Sequence, residues 1–297
     1  MVDVKEIKSF KLAPFTKMSA AIYGILGLIA AIVMLITLSI VQVTGVLPQL
    51  GQFNLVTGLG IPLIVLLPIG AFFSTIVVSF FSVMLYNALV PRLGGVKLEL
   101  EGNGVEKIPV VSFSLILSAI GAIWAFIVGL VLAAVFSPLF SFISAISTMP
   151  AAANITANIT NVSGATMPTG AGVGTAGVLV SLLLIIGLPI MAFVFGFIWN
   201  ALFALFYNYI VTRVAKIQLE FSQITGSLHE LKQIPVLPTA LAVAIVYALL
   251  GVISGIISGN YGEFISDFII YFIETALIAL LYNYLAPKIG SIKLNLE

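Results

Sequence analysis

Four polar side chains share one face of the last long apolar stretch. Glu263, Asp267, Tyr271 and Glu274 follow one another at spacings of four, four and three, which stacks them along a single stripe of an α-helix. Carboxylates and a phenol in such a column can hand on a proton or attract a cation from outside. A carboxylate carried to the middle of a bilayer costs at least about 2.5 kcal/mol on insertion scales, so Glu274 is expected to be protonated or hydrogen-bonded. The stripe also fits a plainer state, a neutral Glu274 bonded to a neighbouring helix with Glu263 and Asp267 wetted at the surface. Elsewhere the chain offers little reactive chemistry. It has one His and no Cys, which removes the usual zinc ligands, and no nucleophile stands at a recognisable spacing from a base. His229 beside Glu230 reads as an exposed surface residue. Gly172-Val173-Gly174-Thr175-Ala176-Gly177 fits the GxGxxG pattern, but no strand precedes it and it falls in a loop expected outside the membrane. No catalytic residue, metal or cofactor is expected, and the chain reads as non-enzymatic.

The elements that must carry the acidic stripe follow from composition. Of 297 residues 61% are hydrophobic and 8% charged, against about 25% charged in a soluble domain, which excludes a water-soluble globule. Twelve Lys and Arg nearly cancel eleven Asp and Glu, so no cationic excess is available for a nucleic-acid backbone. No charged residue occurs between Met18 and Pro91, between Ile108 and Thr212, or between Gln233 and Gly262. Gly, Pro, Asn and Thr clusters cut these stretches into six candidate spans near 16–42, 61–90, 109–137, 178–211, 235–258 and 264–286, each at or above the roughly 20 residues that cross the hydrocarbon layer. The run Met18 to Val43 follows four lysines as a secretory signal would, but its 26 residues exceed a signal core, so it is kept as an uncleaved span. With six spans, all twelve Lys and Arg fall on the side that holds both termini. The positive-inside rule makes that side cytoplasmic and the location a cell membrane.

Self-comparison finds three related tails at the ends of the even-numbered spans. They are Leu85-Tyr86-Asn87 through Pro91-Arg92-Leu93-Gly94-Gly95-Val96-Lys97-Leu98-Glu99-Leu100, Phe206-Tyr207-Asn208 through Thr212-Arg213-Val214-Ala215-Lys216-Ile217-Gln218-Leu219, and Leu281-Tyr282-Asn283 through Pro287-Lys288-Ile289-Gly290-Ser291-Ile292-Lys293-Leu294. They align without a gap, and chance likeness among apolar helices does not reproduce Tyr-Asn with a basic residue five positions after the Asn. Tyr and Asn are expected at the headgroup level, with the basic residue facing lipid phosphates. The last residues of each tail alternate with period two, as in a half-buried strand. Each odd span is preceded by a short alternating segment, Val4 to Pro14, Val105 to Pro109 and Leu228 to Pro235. The expected unit is strand, helix, helix, strand, and Glu101-Gly102-Asn103-Gly104 suits a hairpin that joins consecutive units in a small cytoplasmic sheet.

These tails resemble an uncharacterised prokaryotic transmembrane-domain family, in which a two-helix unit ends in Leu-Tyr-Asn followed by Gly-Gly-Ile and an alternating acidic strand. The first and third tails match best; the second carries Ala215 and Lys216 in place of the paired glycines, so its turn is expected to differ. The resemblance implies a fold unit and a membrane location, and it brings no catalytic residues.

The expected fold is an all-α integral membrane protein, a single membrane domain over 1–297, with six transmembrane helices as three two-helix repeats (2–101, 105–222 and 228–297) in pseudo-threefold order with short cytoplasmic β-strands. Ser79, Asn200 and Thr275 stand seven residues before each Tyr, a polar layer that suits hydrogen bonds between helices or a narrow polar path. Pro68 and Pro189 should bend the second and fourth helices. Gly251, Gly255 and Gly259 form two GxxxG steps for close helix packing. The outer loop 137–177 is rich in Ala, Thr, Asn and Gly and carries three N-glycosylation patterns, at Asn154, Asn158 and Asn161. The expected partners are the lipid bilayer and either further copies of the chain or the other subunits of a membrane complex, with glycans on the loop. The leading function is a structural or assembly component; the alternative is a small channel or transporter with a cation or proton path through Glu274.

Overall fold

The structure, a computed structural model, describes residues 3–44, 58, 60–147 and 177–297. Its long helices are α1 (Leu12–Thr44), α2 (Ile61–Leu93), α3 (Val110–Ser147), α4 (Leu188–Tyr209), α5 (Val236–Ser258) and α6 (Glu263–Ile289). Together with the helical turns that lead into α4, these make six helices long and apolar enough to cross a membrane, consistent with an all-α multi-pass membrane protein. The chain divides into two compact bodies, one of Met1–Phe113 with Ala201–Glu297, the other of Ser114–Asn200.

Two helices depart from the expected pattern at prolines. The third was expected to end at 137, yet α3 runs through Pro138 to Ser147. Proline removes one backbone donor, but among apolar side chains such as Val135, Phe136 and Leu139 a continued helix still pairs most of the backbone, which an unwound segment in the same surroundings would leave unpaired. The expected outer loop 137–177 therefore begins later, and its remainder, with Asn154, Asn158 and Asn161, lies outside the described residues. Before Pro189 the chain takes a π-helical turn over Leu183–Gly187, a device that absorbs a missing i→i−4 bond. In the body that holds this turn α3 and α4 approach closely: a side chain at Gly129 would collide with the Leu184 carbonyl, and one at Gly196 would touch Ser118.

Six strands form one antiparallel sheet: β1 (Asp3–Phe10), β2 (Val96–Glu101), β3 (Gly104–Lys107), β4 (Glu220–Thr225), β5 (Leu228–Gln233) and β6 (Lys293–Leu296), in the order β3-β2-β1-β6-β5-β4. The hairpins β2–β3 and β4–β5 turn at Gly102-Asn103 and Gly226-Ser227. Each places a glycine at positive φ, 60° and 56°, in the first central position, as a type II′ turn requires. A third junction joins the chain ends. Glu6 N–H donates to Glu297 O at 2.6 Å, and Glu297 N–H donates to Glu6 O at 3.1 Å. The start of β3 also meets the segment just before β4: Val105 N–H donates to Ile217 O and Leu219 N–H to Asn103 O, both at 2.8 Å, across the Gly104–Gln218 bridge. This single bridge ties β3 to the chain just before β4 and covers part of the exposed edge of β3.

Alternation decides which face is buried. Val96, Leu98 and Leu100 are buried along β2, while Lys97 and Glu101 between and beyond them are exposed. Leu231, Leu294 and Leu296 are buried on β5 and β6. Leu231 packs into a cluster with Met18 and Ile22 of α1 and Tyr282, Leu285 and Ala286 of α6, so the sheet is fastened to helix ends by apolar contact. Each such buried Leu or Val contributes about 1.5–3 kcal/mol.

Candidate functional site

Two groups of polar side chains stand out, and the first occurs three times. Tyr86 Oη donates to Ile7 O at 2.8 Å, Tyr207 Oη donates to Val105 O at 2.5 Å, and Tyr282 Oη donates to Leu231 O. The oxygens of Tyr207 and Tyr282 also accept backbone N–H groups, from Ile217 at 3.0 Å and from Ile292 at 3.2 Å. The adjacent asparagines each hold both polar groups of one backbone residue. Asn87 bonds Phe10 N–H and O at 2.9 Å each, Asn208 bonds Ile108 at 2.8 and 2.7 Å, and Asn283 bonds Ile234 at 2.9 and 2.8 Å. Phe10, Ile108 and Ile234 stand where a strand passes into a helix, where neither ladder nor helix supplies a partner and side-chain amides must. The Tyr-Asn pairs expected at the headgroup level are thus clasps that tie the end of each even helix to the strand leading its unit. Their hydroxyls and amides are directed at backbone, and Tyr207 and Tyr282 are fully buried.

The exits beyond the clasps divide as the aligned glycines suggest. Gly94 and Gly290 adopt φ of 80° and 94° and cap their helices, donating to Val90 O at 2.9 Å and Ala286 O at 3.0 Å. In the second tail α4 ends at Tyr209, and a 3₁₀ turn over Val211–Arg213 follows. Ala215 there keeps a negative φ, because its Cβ disfavours the left-handed region. A carboxylate meets the next position in all three tails. Glu6 accepts Gly95 N–H at 2.8 Å, Glu230 accepts the Ser291 hydroxyl at 2.8 Å, and Lys216 lies against Glu106 and 3.0 Å from Glu101. The Gly95 amide holds the Glu6 carboxyl below its ordinary range, and the Ser291 and Ser222 hydroxyls do the same for Glu230. Glu106 and Glu101 push the Lys216 ammonium up, and Lys216 in turn lowers Glu101.

The second group is the acidic stripe, which faces α5 of the same chain. Glu263 accepts the Ser254 hydroxyl at 2.5 Å and the Ser258 hydroxyl at 2.8 Å. Asp267 lies over Gly251, where a Cβ would come 2.7 Å from its Oδ2. Tyr271 stacks on Tyr247 with ring centroids 3.6 Å apart and planes 11° from parallel. Glu274 lies within electrostatic reach of Tyr247 and of Tyr23 on α1. All four stripe residues are half-buried, and among the described residues none of the three carboxylates forms an ion pair. The serines and tyrosines opposite the stripe carried no signal in the sequence beyond their places on α5 and α1.

Gly251 and Gly255 permit this close approach, since a Cβ at Gly255 would lie 2.7 Å from Asn260 O. Gly259 does different work. It has φ 76°, stands at the left-handed end of α5 and has open space where a Cβ would be, so it terminates the helix and does not pack it. Of the expected polar layer, Ser79 donates to Thr75 O at 2.5 Å and Asn200 to Gly196 O at 2.8 Å, each within its own helix. Ser79 and Thr275 belong to one body and Asn200 to the other. His229, expected at the surface, is half-buried on β5, with Nδ1 2.9 Å from Ser227 O. No protein-family model, curated protein or solved structure matches this chain.

Proposed function

We propose that the chain is a non-enzymatic multi-pass membrane protein, a structural or assembly component that self-associates or serves as a subunit of a membrane complex. Three strand–helix–helix–strand repeats over 2–101, 105–222 and 228–297 build it in pseudo-threefold order, which is also where the family resemblance lies. The observation that carries this reading is the triple clasp: the repeated polar side chains are spent on backbone hydrogen bonds at matching positions, and the two hairpins and the meeting of the chain ends join consecutive units in the same way. Both termini and the sheet lie in the cytoplasm beneath a cell membrane, supported by the gathering of all twelve Lys and Arg at one end of the spans. The loop with Asn154, Asn158 and Asn161 then faces outward and is open to glycans.

A second reading, a cation or proton path, is favoured by the seam between α5 and α6, where Glu263, Asp267 and Glu274 have no ion pair among the described residues and Tyr247 stacks on Tyr271. Reconstituted liposomes separate the two. The scaffold reading expects pH-gradient and cation flux no greater than in protein-free vesicles, for wild type and for Glu274→Gln alike. A flux present in wild type and abolished in Glu274→Gln would replace it with the transport reading.

A further inference from the structure

A cleft of about 560 Å³ opens where α6 gives way to β6, lined among others by Glu230, Lys232, Asn283, Pro287, Ser291 and Lys293. Its neutral and acidic groups are committed to the fold. Asn283 holds both polar groups of Ile234, and Glu230 accepts the Ser222 and Ser291 hydroxyls at 3.0 and 2.8 Å. Its two lysines flank Glu230, with Lys293 its cross-strand partner, and neither closes a direct ion pair: among the described residues neither Lys232 nor Lys293 has a carboxylate within 4.0 Å, as is also true of Lys11, Lys17, Lys97 and Lys288. The aligned positions of the other units sharpen this. In the first, Lys8 takes the place of Lys232 and is occupied by Glu6 at 3.2 Å and Glu297 at 3.8 Å. In the second, Gln218 takes the place of Lys293. Of the three aligned positions, the third keeps two lysines at the rim of a cleft without a direct ion pair, among the described residues.

We propose that this cleft binds a phosphate group, with Lys232 and Lys293 donating to its oxygens. Two ammonium groups bring six N–H donors to one face, and charge-assisted bonds from nitrogen to an oxyanion are roughly twice as strong as neutral ones. The volume exceeds that of a bare phosphate and leaves room for the group it esterifies. One wall is the last turn of α6, at the end of an apolar span, so the phosphate can come from a lipid headgroup; the cleft's other side is open to soluble phosphate esters. The site is independent of whether the α5–α6 seam conducts.

Titration calorimetry on the purified full chain in detergent, with dioctanoyl phosphatidic acid and with glycerol 3-phosphate as probes, tests this. Saturable one-to-one binding of at least one probe is expected, at least tenfold weaker in Lys232→Gln/Lys293→Gln. The control Lys17→Gln/Lys288→Gln removes the same charge outside the cleft and should change it less than twofold. Lys232→Arg/Lys293→Arg should retain binding, which separates lost charge from lost fold. Binding of the lipid without competition by glycerol 3-phosphate identifies a headgroup site, and equal binding of both identifies a soluble ester. Equal weakening in both Gln doubles, or no saturable binding of either probe, overturns the proposal.

Discussion

The two ends of α6 use their polar residues in opposite ways. At the C-terminal end Tyr282 and Asn283 close on the backbone of Leu231 and Ile234, in an arrangement found again at the ends of α2 and α4. At the N-terminal end Glu263, Asp267 and Glu274 meet α5, and the sister helices carry Ala71 and Val78, or Ala192 and Trp199, at the positions of Asp267 and Glu274. The Tyr-Asn pairs at the ends of α2, α4 and α6 satisfy backbone groups that folding would otherwise strand. The acids that occur only on α6 are free of that duty, and there the even-numbered helices differ in chemistry.

The largest break in this contrast is expected at the clasps. Asn208→Leu leaves the N–H and carbonyl of Ile108 without their partner, and each unsatisfied buried group costs about 1–3 kcal/mol, so a loss of about 2–6 kcal/mol is expected. Thermal unfolding in detergent checks it, and Asn87→Leu and Asn283→Leu should fall in the same range. The seam should respond through packing. Gly251→Val places a side chain into Asp267 and the Phe264 backbone and should cost about 1–3 kcal/mol as overpacking, with the Tyr247–Tyr271 stack loosened. Tyrosine fluorescence read beside the melt would report that loosening.

The smallest expected effect is a pH dependence confined to the sheet. Glu6, Glu101 and Glu230 are held below the ordinary carboxyl range, so their stabilisation is complete above the unfolded value of about 4.3 and is lost as pH falls through the lower folded values. Lys216, held above its ordinary range, gives stability that is complete below about 10.4 and is lost as pH rises through its folded value. Both effects are small, because these side chains are near the surface and screened. Melts in low salt, from pH 7 down to 3 and up to 11, should show a shallow decline at each end that high salt reduces.

Much of this architecture was readable in the residues, and the unreadable part has a common cause. Long uncharged stretches located the six helices, and the three Tyr-Asn pairs marked residues that all hydrogen-bond to backbone. Their partners were not readable, because Ile7, Val105 and Leu231 contribute only a backbone carbonyl, which any residue supplies. The bridge between Gly104 and Gln218 was hidden for the same reason. Gly259 looked like a third packing glycine because spacing alone does not distinguish a missing side chain from a left-handed φ. The run of α3 through Pro138 depended on the apolar surroundings outweighing one lost donor.

Removing one oxygen from each clasp tests their equivalence most directly, through Tyr86→Phe, Tyr207→Phe and Tyr282→Phe melted side by side. Each change removes the partner of one backbone carbonyl while keeping the ring, so all three should lose a similar amount, about 1–3 kcal/mol. A large loss in one variant with the other two unchanged would mean that the three tails are alike in sequence and unlike in the work they do.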